Sequence, residues 1–187
     1  MERIVLASGS PRRKQLLEWA EVDFEVKVKD TPESWPQGLA VVDVPVHIAR
    51  NKALAVKADL GPGRVVLAAD TVVVLAGEII GKPKDRADAV AILSRLAGQR
   101  HEVITGVALL RDGEEQVFAD ITAVWFHPLT HAEIEAYVDK YKPYDKAGAY
   151  AIQEWIGVVG IKGIEGDFYN VMGLPVSRVV QALRKWR

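Results

Sequence analysis

The stretch Ser8-Gly9-Ser10-Pro11-Arg12-Arg13 gathers two hydroxyls, a glycine and two guanidinium groups within six residues. It follows the apolar run Ile4-Val5-Leu6-Ala7 and precedes Leu16, Leu17 and Trp19, whose spacing predicts an amphipathic helix. The reading is a strand, a tight turn and a helix start. Gly9 permits close backbone approach to a ligand, Ser10 is a natural N-cap and Pro11 suits the first helical position. Side chains of a first helical turn lean toward the N-terminus, so Arg12 and Arg13 reach past the helix end. Backbone N–H groups, hydroxyls and guanidinium forks together make an anion site of the kind that grips phosphates. A capped helix with two solvated arginines is the alternative, and the local sequence leaves both open.

Asp70 is the second chemical feature. It stands between the strand-like runs Val65–Ala69 and Val72–Leu75, where an ionised carboxylate is costly unless it meets a cation, a metal or several donors. A buried aspartate satisfied by backbone donors at a strand end is the other reading. Lys82, in Gly81-Lys82-Pro83, is a cation on a rigid corner, and Lys52 is one on a helix; each can face phosphate oxygens or solvent. The four histidines make no metal site. Only His127 and His131 share an i, i+4 spacing, which Pro128 and the cap at Thr130 interrupt, so all four are expected at exposed helical positions.

The elements that must carry these residues alternate along the chain. An extended segment over Phe24–Val28 leads through a loop with Pro32 and Pro36 to a helix over Val46–Asp59, ended by Gly61-Pro62-Gly63. The two valine-rich runs turn back at Ala76-Gly77-Glu78 onto Ile79-Ile80, and a helix covers Asp85–Leu96. Glu102–Leu110 and Gln116–Phe126, joined at Asp112-Gly113, read as an antiparallel ribbon. Thr130-His131-Ala132-Glu133 is a capping box opening a helix to about Lys140. The glycine-rich stretch 157–173 is expected to hold short strands and turns before a last helix over Pro175–Trp186. Helices interleaved with a mixed sheet predict an α/β or α+β fold.

Composition narrows the function. A chain of 187 residues, 49% hydrophobic, buries a real core as one domain, with room for two lobes. Its formal net charge of −1 and its longest basic run, Arg12-Arg13-Lys14, lack the broad basic field of a nucleic-acid binder. No nucleic-acid partner is expected, and a small anion fits better. Without cysteine there is no disulfide, thiolate nucleophile or Cys–zinc site. Met1 leads straight into the first strand, and Val65–Leu75 is too short to span a bilayer, so no membrane association and a cytoplasmic location are expected.

Taken together, the motifs resemble those of the Maf family, the septum-formation-protein group of nucleoside triphosphate pyrophosphatases. The resemblance runs nearly full length. It rests on Leu6–Arg13, Asn51-Lys52-Ala53, Ala68–Val73, Gly81-Lys82-Pro83, His101–Val107, Asp145–Gln153 and Asn170–Pro175, seven motifs in family order. It implies an elongated two-lobed fold like that of inosine-triphosphate pyrophosphatases, a single domain over 1–187 with the nucleotide in a central cleft. It also implies cleavage of a nucleoside triphosphate to the monophosphate and pyrophosphate with a divalent cation, Mg2+ or Mn2+. Asp70 matches the family's proton acceptor; a carboxylate beside a cation can orient water and take its proton. Glu33 lies in the loop where the family has an acidic residue, which assigns Glu33 and Asp70 to the metal, a solvated loop glutamate being the other reading. Ser8, Arg13, Lys52 and Lys82 become phosphate ligands.

The family divides between a branch acting on dTTP and UTP and one acting on 7-methyl-GTP. Arg12, Thr71 and Gln153 match the former at three positions where the latter resembles a bulky aromatic, a glutamine and a glutamate. An amide such as Gln153 can donate to a uracil carbonyl and accept from N3–H, whereas a glutamate only accepts. Modified pyrimidine nucleotides, nucleotide-pool cleaning and cell-division arrest fit the same resemblance. A non-catalytic nucleotide-binding regulator of septum formation and a 7-methyl-GTP pyrophosphatase are the alternatives, and a homodimer stays open. Lys142-Pro143 departs from the Glu-Pro of many relatives, and Gly166–Asn170 varies a usual run; Asn170 and Gly148 are read first as turn makers. Trp19, Trp125, Trp155 and Trp186 are expected as core or interface anchors, and Trp35 as a loop residue able to close over a nucleotide.

Overall fold

The computed structural model describes residues 3–186 and has the expected mixed α/β architecture. Strands β1 (Ile4–Leu6), β2 (Phe24–Val26), β3 (Val66–Leu75), β4 (Glu78–Ile80), β5 (Arg100–Arg111), β6 (Glu114–Phe126) and β7 (Ile161–Glu165) form one sheet. Their order is β2-β1-β3-β5-β6-β7, with β4 hairpinned onto β3. The helices are α1 (Pro11–Trp19), α2 (Val44–Lys57), α3 (Arg86–Leu96), α4 (His131–Tyr141), α5 (Trp155–Gly160), α6 (Phe168–Met172) and α7 (Val176–Arg184). Among the described residues no helix is long and apolar enough to cross a membrane. The chain divides into two compact units. One holds the described residues up to Thr71, Thr105–Asp120 and those from Gly173 onward; the other holds Val72–Ile104 and Ile121–Met172.

In the first unit β1 runs parallel to β2 on one side and to β3 on the other, pairing Ile4 with Phe24 and Val5 with Val66. The crossover through α1 therefore leads from β1 out to β2, and that through α2 leads back past β1 to β3; an open α/β sheet binds ligands beyond the strand ends at such a reversal. Helix α2 lies close on this sheet because alanines meet there: Ala49 and Ala53 share a buried cluster with Ala7, Ala68 and Ala108. Gly106 on β5 sharpens the fit, since a Cβ at that position would run into the backbone of Pro45 and Val46 at the start of α2. The β5–β6 connection is a tight turn with both central residues left-handed, Asp112 at φ 45° and Gly113 at φ 90°, as the Asp-Gly pair requires.

In the second unit α3 is capped by the Asp85 carboxylate, which accepts the Asp88 N–H at 2.8 Å. The Thr130–Glu133 capping box opens α4 as expected. His101 does not lie on an exposed helix. It is 1% exposed on β5, edge-on to Phe126 and Tyr150 at 5.0 and 5.5 Å, with Nε2 2.7 Å from the Tyr150 hydroxyl. Burial, helped by the charge of Arg100, takes its pKa down to about 4.

Several local expectations change. The runs around Asp70 join into one ten-residue strand rather than two. The glycine-rich stretch holds a single strand, β7, between two short helices, α5 and α6. Ser10 sits at the N-cap of α1 with extended backbone, yet its hydroxyl makes no capping bond; the Ser10 N–H instead donates to Ser8 Oγ at 3.3 Å. Trp19 is 60% exposed. The buried stripe of α1 is centred between Leu16 and Leu17, and at about 100° per residue Trp19 falls about 110° away from it. Asn170 is a fully buried residue of α6, not a turn maker, and its amide donates to the Val103 carbonyl and to Thr122 Oγ1, each at 3.1 Å. Gly148 does take a left-handed turn conformation, and a Cβ there would also come within 2.8 Å of Val73 Cγ2.

Candidate active site

Where β1 ends, the chain passes through Ser8, 7% exposed, into α1. Arg13, one turn into that helix, points back as the N-terminal lean of helical side chains dictates. Its Nη1 donates to Ser8 Oγ at 3.2 Å, its Nη2 to Thr71 Oγ1 at 3.0 Å and its Nε to the Gly173 carbonyl at 2.7 Å. Burial lowers the pKa of this guanidinium and the Asp70 carboxylate opposes the shift. It stays charged, as arginine does in proteins. The fork thus fixes both hydroxyls with three of its five N–H groups engaged.

Alternation along β3 places Asp70 on the sheet face of Val66 and Ala68, the face that α2 covers, and Thr71 on the other. Lys52 of α2 meets Asp70 there. Its Nζ lies 2.8 Å from Asp70 Oδ1 and 2.8 Å from Glu33 Oε1, so one ammonium gathers two carboxylates from distant parts of the sequence. Asp70 is nearly buried, with a side chain 12% exposed, while that of Glu33 is 49% exposed. The pairing supplies the cation that a carboxylate between two apolar runs requires. Removing one member of such a buried pair typically costs about 3–5 kcal/mol, because the other charge is left uncompensated.

Ser8, Arg13, Glu33, Lys52, Asp70 and Thr71 therefore converge within the first unit. Arg12 is half-buried beside them in sequence. Lys82 and Gln153 belong to the second unit, both exposed. They sit on segments that touch: the Gly148 N–H donates to the Gly81 carbonyl at 3.2 Å, tying the Gly81-Lys82-Pro83 corner to the segment that ends in Gln153.

Residues 3–186 match the Maf-like protein family. The chain belongs to the Maf family. A dTTP/UTP pyrophosphatase of Cytophaga hutchinsonii is 50% identical over 182 residues, 97% of this chain and 83% of that protein. One from Bacteroides thetaiotaomicron is 46% identical over 184 residues, 98% and 95% respectively. Among solved structures, the Staphylococcus aureus Ham1 protein superposes with a TM-score of 0.56 at 18% identity, covering 98% of each chain, which is a likeness of fold.

Two residues of this Maf site were not singled out by type or spacing. Gly173, buried with φ +119°, presents the carbonyl that receives Arg13 Nε, and that backbone conformation strains any L side chain. Thr105, fully buried on β5, places Oγ1 2.9 Å from Thr71 Oγ1. Both lie inside motifs that carry the Maf resemblance. Their hydrogen-bonding parts, a carbonyl and a β-strand hydroxyl, look like ordinary fold chemistry in a sequence. The Thr71 hydroxyl is committed to Arg13 and Thr105, so it belongs to the floor of the site.

Proposed function

We propose that this chain hydrolyses dTTP and UTP to the nucleoside monophosphate and pyrophosphate. What carries the reading is the position of Asp70: a nearly buried carboxylate held by Lys52 on the strand that also presents Thr71 to Arg13. The full-length similarity to dTTP/UTP pyrophosphatases supports the choice of substrate. In this scheme a water attacks the α-phosphorus, the bond to the bridging oxygen of the pyrophosphate breaks, and the water's proton goes to Asp70. Lys52 occupies Oδ1, so Oδ2 is the oxygen that accepts it. Ser8 and the remaining N–H groups of Arg13 receive phosphate oxygens, together with the opening N–H groups of α1. By the family motifs they match, Lys82 is assigned to phosphate, and Arg12, Thr71 and Gln153 to selection of the pyrimidine. Gln153 does so by its amide, which matches a uracil edge in both donor and acceptor.

The residues fit a divalent cation. Glu33 and Asp70 already turn one oxygen each toward a single positive centre, the Lys52 ammonium, and hard carboxylate oxygens suit Mg2+ or Mn2+. A cation such as Mg2+ is commonly held by one or two carboxylates and completed by substrate phosphates. When bound, such a cation offsets phosphate charge and supplies Lewis acidity.

The products decide the reaction. With UTP and Mg2+, chromatography should show UMP and pyrophosphate in equal amounts, and in 18O-labelled water the label should enter UMP. UDP with orthophosphate would overturn the reading.

A further inference from the structure

Gln153 is exposed at the third position of the turn Ala151-Ile152-Gln153-Glu154, which the Glu154 N–H closes by donating to the Ala151 carbonyl at 3.1 Å. Both ends of this turn are held by one oxygen. The hydroxyl of Tyr137, a residue of α4 that is 1% exposed, accepts the Ala151 N–H at 3.3 Å and donates to Glu154 Oε2. Lys146 Nζ stands 3.6 Å from the other oxygen of that carboxylate. The Tyr137 ring is itself fixed by stacking on Tyr141 at 4.9 Å. On the far side, α5 leaves the turn no room to move: the Gly157 N–H donates to the Glu154 carbonyl at 2.9 Å, and a Cβ on Gly157 would run into the Ile152 carbonyl.

We infer that Tyr137 is a positioning residue for base selection, its hydroxyl holding residues 151 and 154 so that Gln153 meets the base in one fixed orientation. The inference rests on the reading of Gln153 as the residue that recognises the pyrimidine. A loose amide can rotate or withdraw and bond many base edges; one on a turn pinned at both ends presents its donor and acceptor in a single arrangement. Misplacing a recognition group by about 1 Å can cost up to about a hundredfold in rate. Burial and the neighbouring Glu154 raise the pKa of the phenol, so it remains a donor throughout the ordinary pH range.

Tyr137→Phe keeps the ring and removes only the hydroxyl, and kcat/KM for UTP, dTTP and GTP would be measured against the parent at saturating Mg2+. The pyrimidine-to-guanine ratio should fall by roughly ten- to a hundredfold, with faster amide exchange at Ala151. A purely structural role would lower all three rates together and leave the ratio in place, and that result overturns the inference. Tyr141→Phe, on the same helix, should leave the ratio unchanged; an equal fall there would also overturn it. If Tyr137→Phe loses its cooperative melt, Glu154→Gln, which weakens the same link while sparing the ring, decides the matter by the same ratio. Gln153→Glu separates the two layers. If it leaves the ratio unmoved, the base-reading role fails and the positioning role falls with it. If it moves the ratio while Tyr137→Phe and Glu154→Gln do not, only the positioning role fails.

Discussion

Around Asp70 the side chains are held in place by charge, with an ammonium between two carboxylates and a guanidinium across two hydroxyls and a carbonyl. Around Gln153 the backbone is held by a neutral phenol, with one carboxylate at its edge. The contrast suits two tasks. Charged contacts can be exchanged, so Lys52, Glu33 and Arg13 can give up part of their present pairing to a phosphate or a cation that offers the same chemistry. A buried phenol bonded to backbone has no such competitor, and the turn it holds keeps its shape whether or not a nucleotide is near. Under the proposed function, the first kind of construction serves phosphate and metal binding, and the second serves discrimination between bases.

The most severe way to break the charged region is Asp70→Asn, which removes the carboxylate proposed to accept the proton while keeping shape. Turnover of UTP should fall by at least about two decades, the scale expected for a general base, while the variant still melts cooperatively. Pyrophosphate release within a few-fold of the parent would show that another group takes the proton.

Arg13→Lys tests whether the fork or merely its charge matters. A lysine cannot reproduce three divergent bonds to Ser8, Thr71 and Gly173, and losing one charged hydrogen bond of about 1.5–3 kcal/mol should appear in urea unfolding as a loss of roughly 1.5–3 kcal/mol. Equal stability of parent and variant would mean that Arg13 is held for the ligand alone.

The smallest effect concerns the neutral region and pH. His101 has a native pKa near 4 against an ordinary value of 6.5, so below pH 6.5 the unfolded chain binds a proton that the native state refuses. Its contribution to stability is therefore complete above pH 6.5 and is lost as pH falls toward 4. By pH 5.5 the loss should be about 1.4 kcal/mol, seen as a lower Tm than at pH 7.5. In His101→Gln, which keeps a hydrogen-bonding group toward Tyr150 but cannot titrate, that part of the decline should vanish. An identical pH slope in both proteins would place the titration elsewhere.

Legibility varied with the kind of contact involved. The β5–β6 turn at Asp112-Gly113 and the capping box at Thr130 were readable because each is satisfied within four residues of itself. Asp70 was readable as an anomaly, since a carboxylate inside apolar β-branched runs needs a partner. Its partner was not, because Lys52 is 18 positions away on another element and lysines on helices are commonplace. Trp19, expected as a core or interface anchor, lies outside the core, and His101, expected on an exposed helix, is enclosed by two aromatic rings. Nothing near either in the chain signals that outcome.

By itself the sequence determined which chemical groups this protein has and, outside the glycine-rich stretch 157–173, most of the order of its helices and strands, through period, caps, turns and seven motifs. These follow from short-range sterics and hydrogen bonding, which neighbouring residues largely settle. Only the tertiary structure decided that Arg13 would bind Ser8, Thr71 and Gly173 across up to 160 positions, and that Tyr137 would hold the turn carrying Gln153. Such pairings depend on where the sheet and helices bring distant side chains within about 3 Å, and hydrogen-bond strength falls steeply beyond that distance.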